Sequence, residues 1–387
     1  MQRTSQIAFV GQEKSSYEDF SYCFSDINVL GMEINMQEWK KNVRQVVPYV
    51  PGEQPQREVI KLNTNENPYP PSHGVAKAVK ETDTELFRKY PDPDCMSLRE
   101  ELADYYGFKP ENIFVGVGSD DVLSVAFLTF FNSDKKILFP DITYSFYSVW
   151  ADVYRIPYEK IPVDENFRII KEDYYKENGG VVFANPNAPT AINEPLDFVE
   201  DILIHNQDVV VIVDEAYVDF GGQSAMSLLN KYDNLLVVQT FSKSRSMAGV
   251  RIGYAIGNAE LIKAMHDVKF SINSYTMSQT ALKTGVEAVR DKEYFEECLK
   301  KIINTRQNTK TELEKLGFTC TDSKTNFLFV THDKYNAKDI FEYLKTKDIF
   351  VRYFNSPRID NYLRITVGTD EEMQELVNVL KEKIANV

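Results

Sequence analysis

The sequence predicts an α/β protein whose mostly parallel central sheet carries helices on both faces, joined to a smaller α+β domain. Three observations carry this. Val209 to Val213, Leu235 to Val238 and Val181 to Ala184 are almost uninterrupted apolar runs, the pattern of strands buried on both faces. Each run ends in polar residues: Asp214 after the first, Thr240, Ser242 and Lys243 after the second, Asn185 to Thr190 after the third. Near the C-terminus the pattern changes to a strand at Thr325–Val330, a helix at Ala337–Thr346, and strands at Ile349–Tyr353 and Tyr362–Val367, which suggests a separate α+β unit.

Length and composition bound the function. A chain of 387 residues can bury a large core and is expected to divide into two domains. Its formal net charge of −14 makes it a poor candidate for binding nucleic acid, because phosphate contacts need clustered Lys and Arg. An anionic ligand must then be held by a local cationic pocket working against the overall field. Cys23, Cys95, Cys298 and Cys320 are widely spaced and form no CxxC pair, which suits free thiols in a reducing cytoplasm. His73, His205, His266 and His332 show no metal-ligand spacing. No apolar run approaches the roughly 20 residues that span a bilayer, and no signal-peptide pattern opens the chain. A cytoplasmic protein without a membrane partner is expected.

Along the chain, residues 1–35 show no sustained period and are expected to form a poorly ordered extension, with Met32 and Met36 as alternative starts. A helical pattern from Met36 to Val46 is stopped by Pro48-Tyr49-Val50-Pro51-Gly52. A short strand, Val59 to Leu62, leads into the irregular loop KLNTNENPYPP. An amphipathic helix near His73 to Thr82 precedes Arg88 to Pro93, whose prolines forbid regular structure. Ser97 and Glu100 read as the capping box of a helix reaching Tyr106. The strand Ile113-Phe114-Val115 enters a glycine-rich turn, Gly116 to Asp121, that opens a helix to about Phe131. Free N–H groups and the helix dipole make such a turn an anion site. It is not a dinucleotide fingerprint, because the third glycine is missing, and this argues against a nicotinamide-dependent dehydrogenase. Lys136 to Phe139 is a further strand, and the stretch beyond Gly253 is expected to be largely helical to about Gly317.

The polar residues at the strand ends define a chemistry. Pyridoxal 5′-phosphate needs an amine for a Schiff base and an anion that keeps its ring nitrogen protonated, so that the ring can withdraw electrons. Lys243 and Asp214 supply these. Tyr217, three residues after Asp214, can donate to the phenolate oxygen, while Arg251 and Ser242 suit the phosphate dianion. An aromatic such as Tyr144 can stack on the pyridine ring, though aromatics make up 12% of the chain and core packing competes as its role.

The motifs DEAYVDF and TFSKSRSMAGVRIG, with LNTNENPYPP, KYPDP, GVGSDD, TYSFY, NPNAPT and YLRITVG in this order, resemble the fold type I pyridoxal-phosphate-dependent transferases, and most closely the histidinol-phosphate aminotransferase family. The similarity runs from about Met36 to the C-terminus. It implies an arm and small-domain part at 36–72, a large cofactor domain at 73–290 and a small domain at 291–387. It also implies a homodimer in which Tyr90 reaches the cofactor phosphate of the other subunit. Ser119 and Asp120 match the positions whose backbone meets the phosphate, and Tyr144 matches the stacking tyrosine. Asn65, Glu66 and Asn67 would order the entrance. Tyr49 would approach the substrate, Arg364 would fork onto its α-carboxylate, and Arg352 would lie near its phosphate end, a surface salt bridge being the competing role for Arg352.

One departure stands out: Ala188 occupies the place where the family has the asparagine that hydrogen-bonds the phenolate oxygen, and Ala191 replaces a glycine. Either Tyr217 acts alone there or Asn187 reaches in. The implied reaction transfers an amino group from histidinol phosphate to 2-oxoglutarate. An aromatic amino-acid aminotransferase and a threonine-phosphate decarboxylase are the related alternatives, and a catalytically silent cofactor domain is disfavoured by the retained Lys243.

Overall fold

The computed structural model describes residues 38–385, so the expectation of a poorly ordered extension at 1–35 lies outside the described residues. In place of the helix expected at Met36–Val46 there is a single 3-10 turn, Glu38–Asn42. From Val46 onward the chain forms one compact unit.

The first part of that unit carries β1 (Ile60–Lys61), α1 (His73–Lys80), α2 (Met96–Tyr106), β2 (Ile113–Gly116), α3 (Ser119–Phe130), β3 (Ile137–Pro140), α4 (Phe146–Tyr154) and β4 (Tyr158–Ile161). It continues through β5 (Gly180–Ala184), α5 (Leu196–His205), β6 (Val211–Asp214), β7 (Leu235–Thr240) and β8 (Gly253–Gly257). Seven of these strands form the central sheet, in the order β2-β8-β7-β6-β5-β3-β4. All neighbours pair in parallel except β8, which runs antiparallel to β2 and β7.

Alternation along these strands sorts their side chains into two cores. Val115, Val181, Phe183, Val213 and Val237 face one way, towards Leu98 and Leu102 of α2 and Phe198 and Ile202 of α5. Phe114, Val182, Ile212, Leu236 and Val238 face the other way, towards Phe127 of α3 and Tyr147 and Trp150 of α4. With both faces covered, the strands must be continuously apolar, which is why their sequences show no alternation.

The chain then runs through α6 (Ala259–Ile272), α7 (Gln279–Arg290) and the long α8 (Lys292–Lys315). It finishes with β9 (Phe318–Cys320), β10 (Phe327–His332), α9 (Ala337–Thr346), β11 (Ile349–Phe350), β12 (Arg352–Tyr353), β13 (Leu363–Thr366) and α10 (Asp370–Ala385). Strands β12-β13-β10-β9 form an antiparallel sheet, while β11 pairs in parallel with β1. One core of this region gathers Leu62, Leu328, Val330, Leu344, Ile365 and Leu376. A second packs Phe327, Phe329 and Val367 against Tyr217, Phe220 and Ala188 from the loops of the central sheet.

Two local expectations are corrected. The cap of α2 is Cys95, in a left-handed conformation with φ 53°, rather than Ser97; the Asp92 carboxylate accepts the free Met96 N–H at 2.7 Å. The stretch after Gly253 is not helical at its start but forms β8, since Tyr254, Ala255 and Ile256 all lie inside the sheet.

Candidate active site

A cavity of about 170 Å³ lies at the edge of the central sheet where β5, β6 and β7 end, between those ends and the antiparallel sheet that carries Arg352 and Arg364. The parallel strands put Ala184, Asp214 and Thr240 at one edge by register alone. Because β8 runs the other way, its first residue, Gly253, pairs with both Gly116 and Thr240. Arg251, two residues earlier, is thereby delivered to the same edge as the start of α3. A Cβ at Gly253 would sit 2.3 Å from the Gly118 carbonyl carbon and from the Ser119 nitrogen, so the approach of β8 to the α3 terminus requires glycine. Gly118 has φ +83°, and a Cβ there would strike the Arg251 guanidinium.

Ser119 and Asp120, the first residues of α3, line the cavity beside Ser242 and Arg251, and the unpaired N–H groups of a helix's first turn suit an anion. Arg251 donates to Ser242 Oγ at 3.1 Å and pairs with Asp120 at 3.4 Å. Asp120 also accepts from the Tyr144 hydroxyl at 2.7 Å, which fixes that ring along the cavity wall. Tyr144 packs edge-on against Tyr147 and Trp150, so its ring plane is set by α4.

Asp214 is buried, and one donor to it was not foreseen. The Tyr147 hydroxyl gives it a hydrogen bond at 2.9 Å, and the Ala216 N–H gives another at 3.2 Å. Burial dominates over these bonds and pushes its carboxyl up to about 6. A protonated ring nitrogen facing it would reverse that shift. Tyr147 follows Tyr144 by three residues, a helical spacing that puts both on one face, and this was the available signal for it.

Lys243 lies in the cavity with its Nζ donating to the Thr64 carbonyl at 3.1 Å and 5.8 Å from the centre of the Tyr217 ring. Burial, and then the charge of Arg364, lower its amine to about 8. An amine so shifted is a far better nucleophile and base near neutrality than a solvated lysine. Asn67 holds the lysine's loop by donating to the carbonyls of Lys243 and Ser244, while Glu66 pairs with Lys61.

Across the cavity, Arg364 and Arg352 stand opposite each other in register on β13 and β12. Arg364 donates to the Asn63 carbonyl at 3.0 Å, but its Nε is buried without a hydrogen-bond partner. Tyr49 lines the same wall and packs on Phe146 at 4.4 Å.

Two expected residues lie elsewhere. Asn187 does not line the cavity: its side chain is consumed inside its own loop, donating to the Ile142 carbonyl and Thr190 Oγ1 and accepting from Thr143. Ala188 lines the wall instead, in the same buried cluster as Tyr217. Tyr90 is 80% exposed, stacked on Tyr275 at 4.5 Å and outside the cavity of its own chain. Asn65, expected to order the entrance, is part of the lining, and so are its neighbours Asn63 and Thr64, for which the sequence offered no role.

A lysine amine, a buried carboxylate, an aromatic wall and a helix-terminus anion cradle fit pyridoxal phosphate at its aldehyde, ring nitrogen, ring face and phosphate. Comparison with known proteins agrees. The family model for aminotransferases of class I and II matches residues 57–380, and the chain belongs to this family of pyridoxal-phosphate enzymes. Histidinol-phosphate aminotransferase of Lactococcus lactis subsp. cremoris strain SK11 is 51% identical over 349 residues, covering 90% of this chain and 98% of the relative. The enzyme of that name from Clostridium botulinum strain Langeland is 50% identical over 347 residues, covering 89% and 98%. Among solved structures, the histidinol-phosphate aminotransferase of Sinorhizobium meliloti in complex with pyridoxal-5′-phosphate superposes with a TM-score of 0.78 at 24% identity, covering 85% of this chain and 92% of that one.

Proposed function

We propose that this chain transfers the amino group of histidinol phosphate to 2-oxoglutarate, giving imidazole acetol phosphate and glutamate in histidine biosynthesis, as a cytoplasmic homodimer. The observation that carries it is the pair of facing arginines, one with a buried and unpartnered Nε, in a cavity that also holds the lysine. Neither arginine has a carboxylate partner among the described residues, so both are free to take up substrate anions. The relatives named above favour histidinol phosphate as donor over an aromatic amino acid or a phosphorylated threonine.

Pyridoxal phosphate, when bound, supplies an aldehyde that captures the amino group and a ring that accepts the electron pair of the α-carbon. Asp214 holds the proton of the ring nitrogen, with Tyr147 fixing its carboxylate. Ser119, Asp120, Ser242 and Arg251 hold the phosphate, chiefly through the α3 terminus and the guanidinium. Tyr144 covers one ring face, and Tyr217 donates to the phenolate oxygen. Lys243 would hold the aldehyde carbon through its amine and, when that amine is free, would move the proton at the substrate α-carbon. Arg364 grips the α-carboxylate of glutamate, Arg352 assists the phosphate of the donor, and Tyr49 borders the substrate. Tyr90 serves the phosphate of the other subunit. In this reading residues 73–290 hold the cofactor, while 291–387, with the arm before residue 72, close over substrate.

Single-turnover spectra test the division of labour between the arginines. Arg364→Ala should slow conversion of the cofactor by glutamate by at least about 10²-fold, the scale of a lost charge-assisted fork, and slow the histidinol phosphate half-reaction no more than that. Unchanged conversion by glutamate rejects the role of Arg364. Wild type that converts phenylalanine or tyrosine well but ignores histidinol phosphate rejects the donor.

A further inference from the structure

The gap left by Ala188 raises the question of what makes Tyr217 a reliable donor on that side of the cavity. A phenol hydroxyl rotates, and it donates into the site only if its neighbours take nothing from it. Next to it stands Asn65, 1% exposed, in a left-handed backbone conformation with φ 57° that asparagine tolerates better than most residues. Its Nδ2 lies 2.9 Å from the Tyr217 hydroxyl.

The orientation of that amide follows from the surrounding donors. The Asn65 backbone N–H, which can only donate, points at Thr366 Oγ1 at 3.0 Å. The threonine hydrogen must therefore go elsewhere, and Asn65 Oδ1 receives it at 3.1 Å. With its oxygen committed to Thr366, the amide can present only Nδ2 to Tyr217. The hydroxyl thus accepts from Asn65, and its own hydrogen is left for the cavity; among the described residues it makes no other hydrogen bond. Asn326 Nδ2 locks the same residue from behind by donating to the Asn65 carbonyl at 3.0 Å. Thr366 stands two residues after Arg364 on β13, so the strand that presents the substrate-binding arginine also sets this network.

We propose that Asn65 is a positioning residue which, oriented by Thr366, turns the Tyr217 hydroxyl into a fixed donor to the cofactor phenolate oxygen and so takes over what the residue at Ala188 no longer supplies. The proposal rests on the reading that Tyr217 faces that oxygen. A donor at the phenolate withdraws electron density from it and weakens its hold on the proton of the neighbouring lysine-linked nitrogen, which is then lost at lower pH. Removing the donor must raise the pH midpoint of the absorbance change of the lysine-bound cofactor.

The test is that midpoint, with the dissociation constant of pyridoxal phosphate, in the loaded full-length enzyme. Thr366→Val frees the amide to flip without adding charge, and Asn65→Asp makes residue 65 an acceptor for the Tyr217 hydrogen. Each should raise the midpoint by up to about one pH unit, the size of one charge-assisted hydrogen bond, and weaken cofactor binding several-fold. In a Tyr217→Phe background Thr366→Val should add nothing, and Asn65→Asp should add only the smaller effect of its charge. If Tyr217→Phe moves the midpoint but Thr366→Val and Asn65→Asp do not, or if they move it equally without the hydroxyl, the proposal is overturned while the role of Tyr217 stands. If Tyr217→Phe leaves the midpoint unmoved, the role of Tyr217 falls, and this proposal with it.

Discussion

At Asp214 function and stability pull in opposite directions. Burial raises its carboxyl from the ordinary 3.8 to about 6, so above that pH the cofactor-free fold holds a charge it would rather neutralise. As pH falls through about 6 towards 3.8, the folded chain takes up the proton before the unfolded chain does, and this site's penalty fades. Asp214→Asn should therefore leave the cofactor-free protein at least as stable at pH 8, by up to about 3 kcal/mol for a shift of about two units, while weakening pyridoxal phosphate binding. Urea unfolding of the cofactor-free variant, read beside cofactor titration, checks this; a marked loss of stability would show that the Tyr147 and Ala216 hydrogen bonds outweigh burial. At this scale Asp214, Lys243, Tyr217 and Arg251 were legible because their chemistry matches one cofactor at strand ends. Tyr147 was not, and Asn65 was legible at the entrance but not as the partner of Tyr217, because each bears on the site through another side chain.

The element that organises the site is the antiparallel β8, and it went unread because Gly253 to Gly257, GYAIG, is short and glycine-bounded. Its direction matters more than its composition. A strand running parallel to β7 would enter from the opposite edge, placing Arg251 far from the α3 terminus. The contact between β8 and that terminus leaves no room for a methyl group at residue 253. Gly253→Ala should push the two apart, destabilise the fold by about 1–3 kcal/mol as overpacking does, and weaken binding of pyridoxal phosphate more than tenfold. Thermal unfolding with and without cofactor measures both effects, and cofactor binding like that of wild type would mean the phosphate sits elsewhere. Helix α2 teaches a related point: Ser97-x-x-Glu100 fits the capping pattern, yet Asp92, four residues before Met96, captures the free N–H because the proline-bounded loop folds back over the helix start.

For the whole molecule, the exposed Tyr90 is the residue whose setting makes least sense in a single chain. Leu86, Phe87, Ile272 and Tyr275 are also exposed, on segments neighbouring Tyr90 in sequence or stacked with it, and an apolar surface of this kind suits a second copy. If Tyr90 serves the partner's cofactor, mixing two inactive or impaired variants should restore function. Refolding Lys243→Ala together with Tyr90→Ala should yield hybrid dimers with one site that has both its own Lys243 and the partner's Tyr90. Activity should rise well above the sum of the separate variants. No recovery, in mixtures shown to contain hybrids, would place Tyr90 outside the partner's site.

The sequence by itself determined the parallel strands of the sheet, the cofactor and most of the polar residues that the fold gathers in one cavity, because burial on both faces and the chemistry of pyridoxal phosphate each leave few choices of residue type. Tertiary structure alone decided how the space beside Ala188 is served. Asn187, adjacent in sequence, turns inward to satisfy its own loop, whereas Asn65, more than a hundred residues away, meets Tyr217. Which of two asparagines faces a phenol depends on where every other donor and acceptor around them is satisfied. That accounting is closed by residues distant in sequence, such as Thr366 and Asn326, which only the fold brings together.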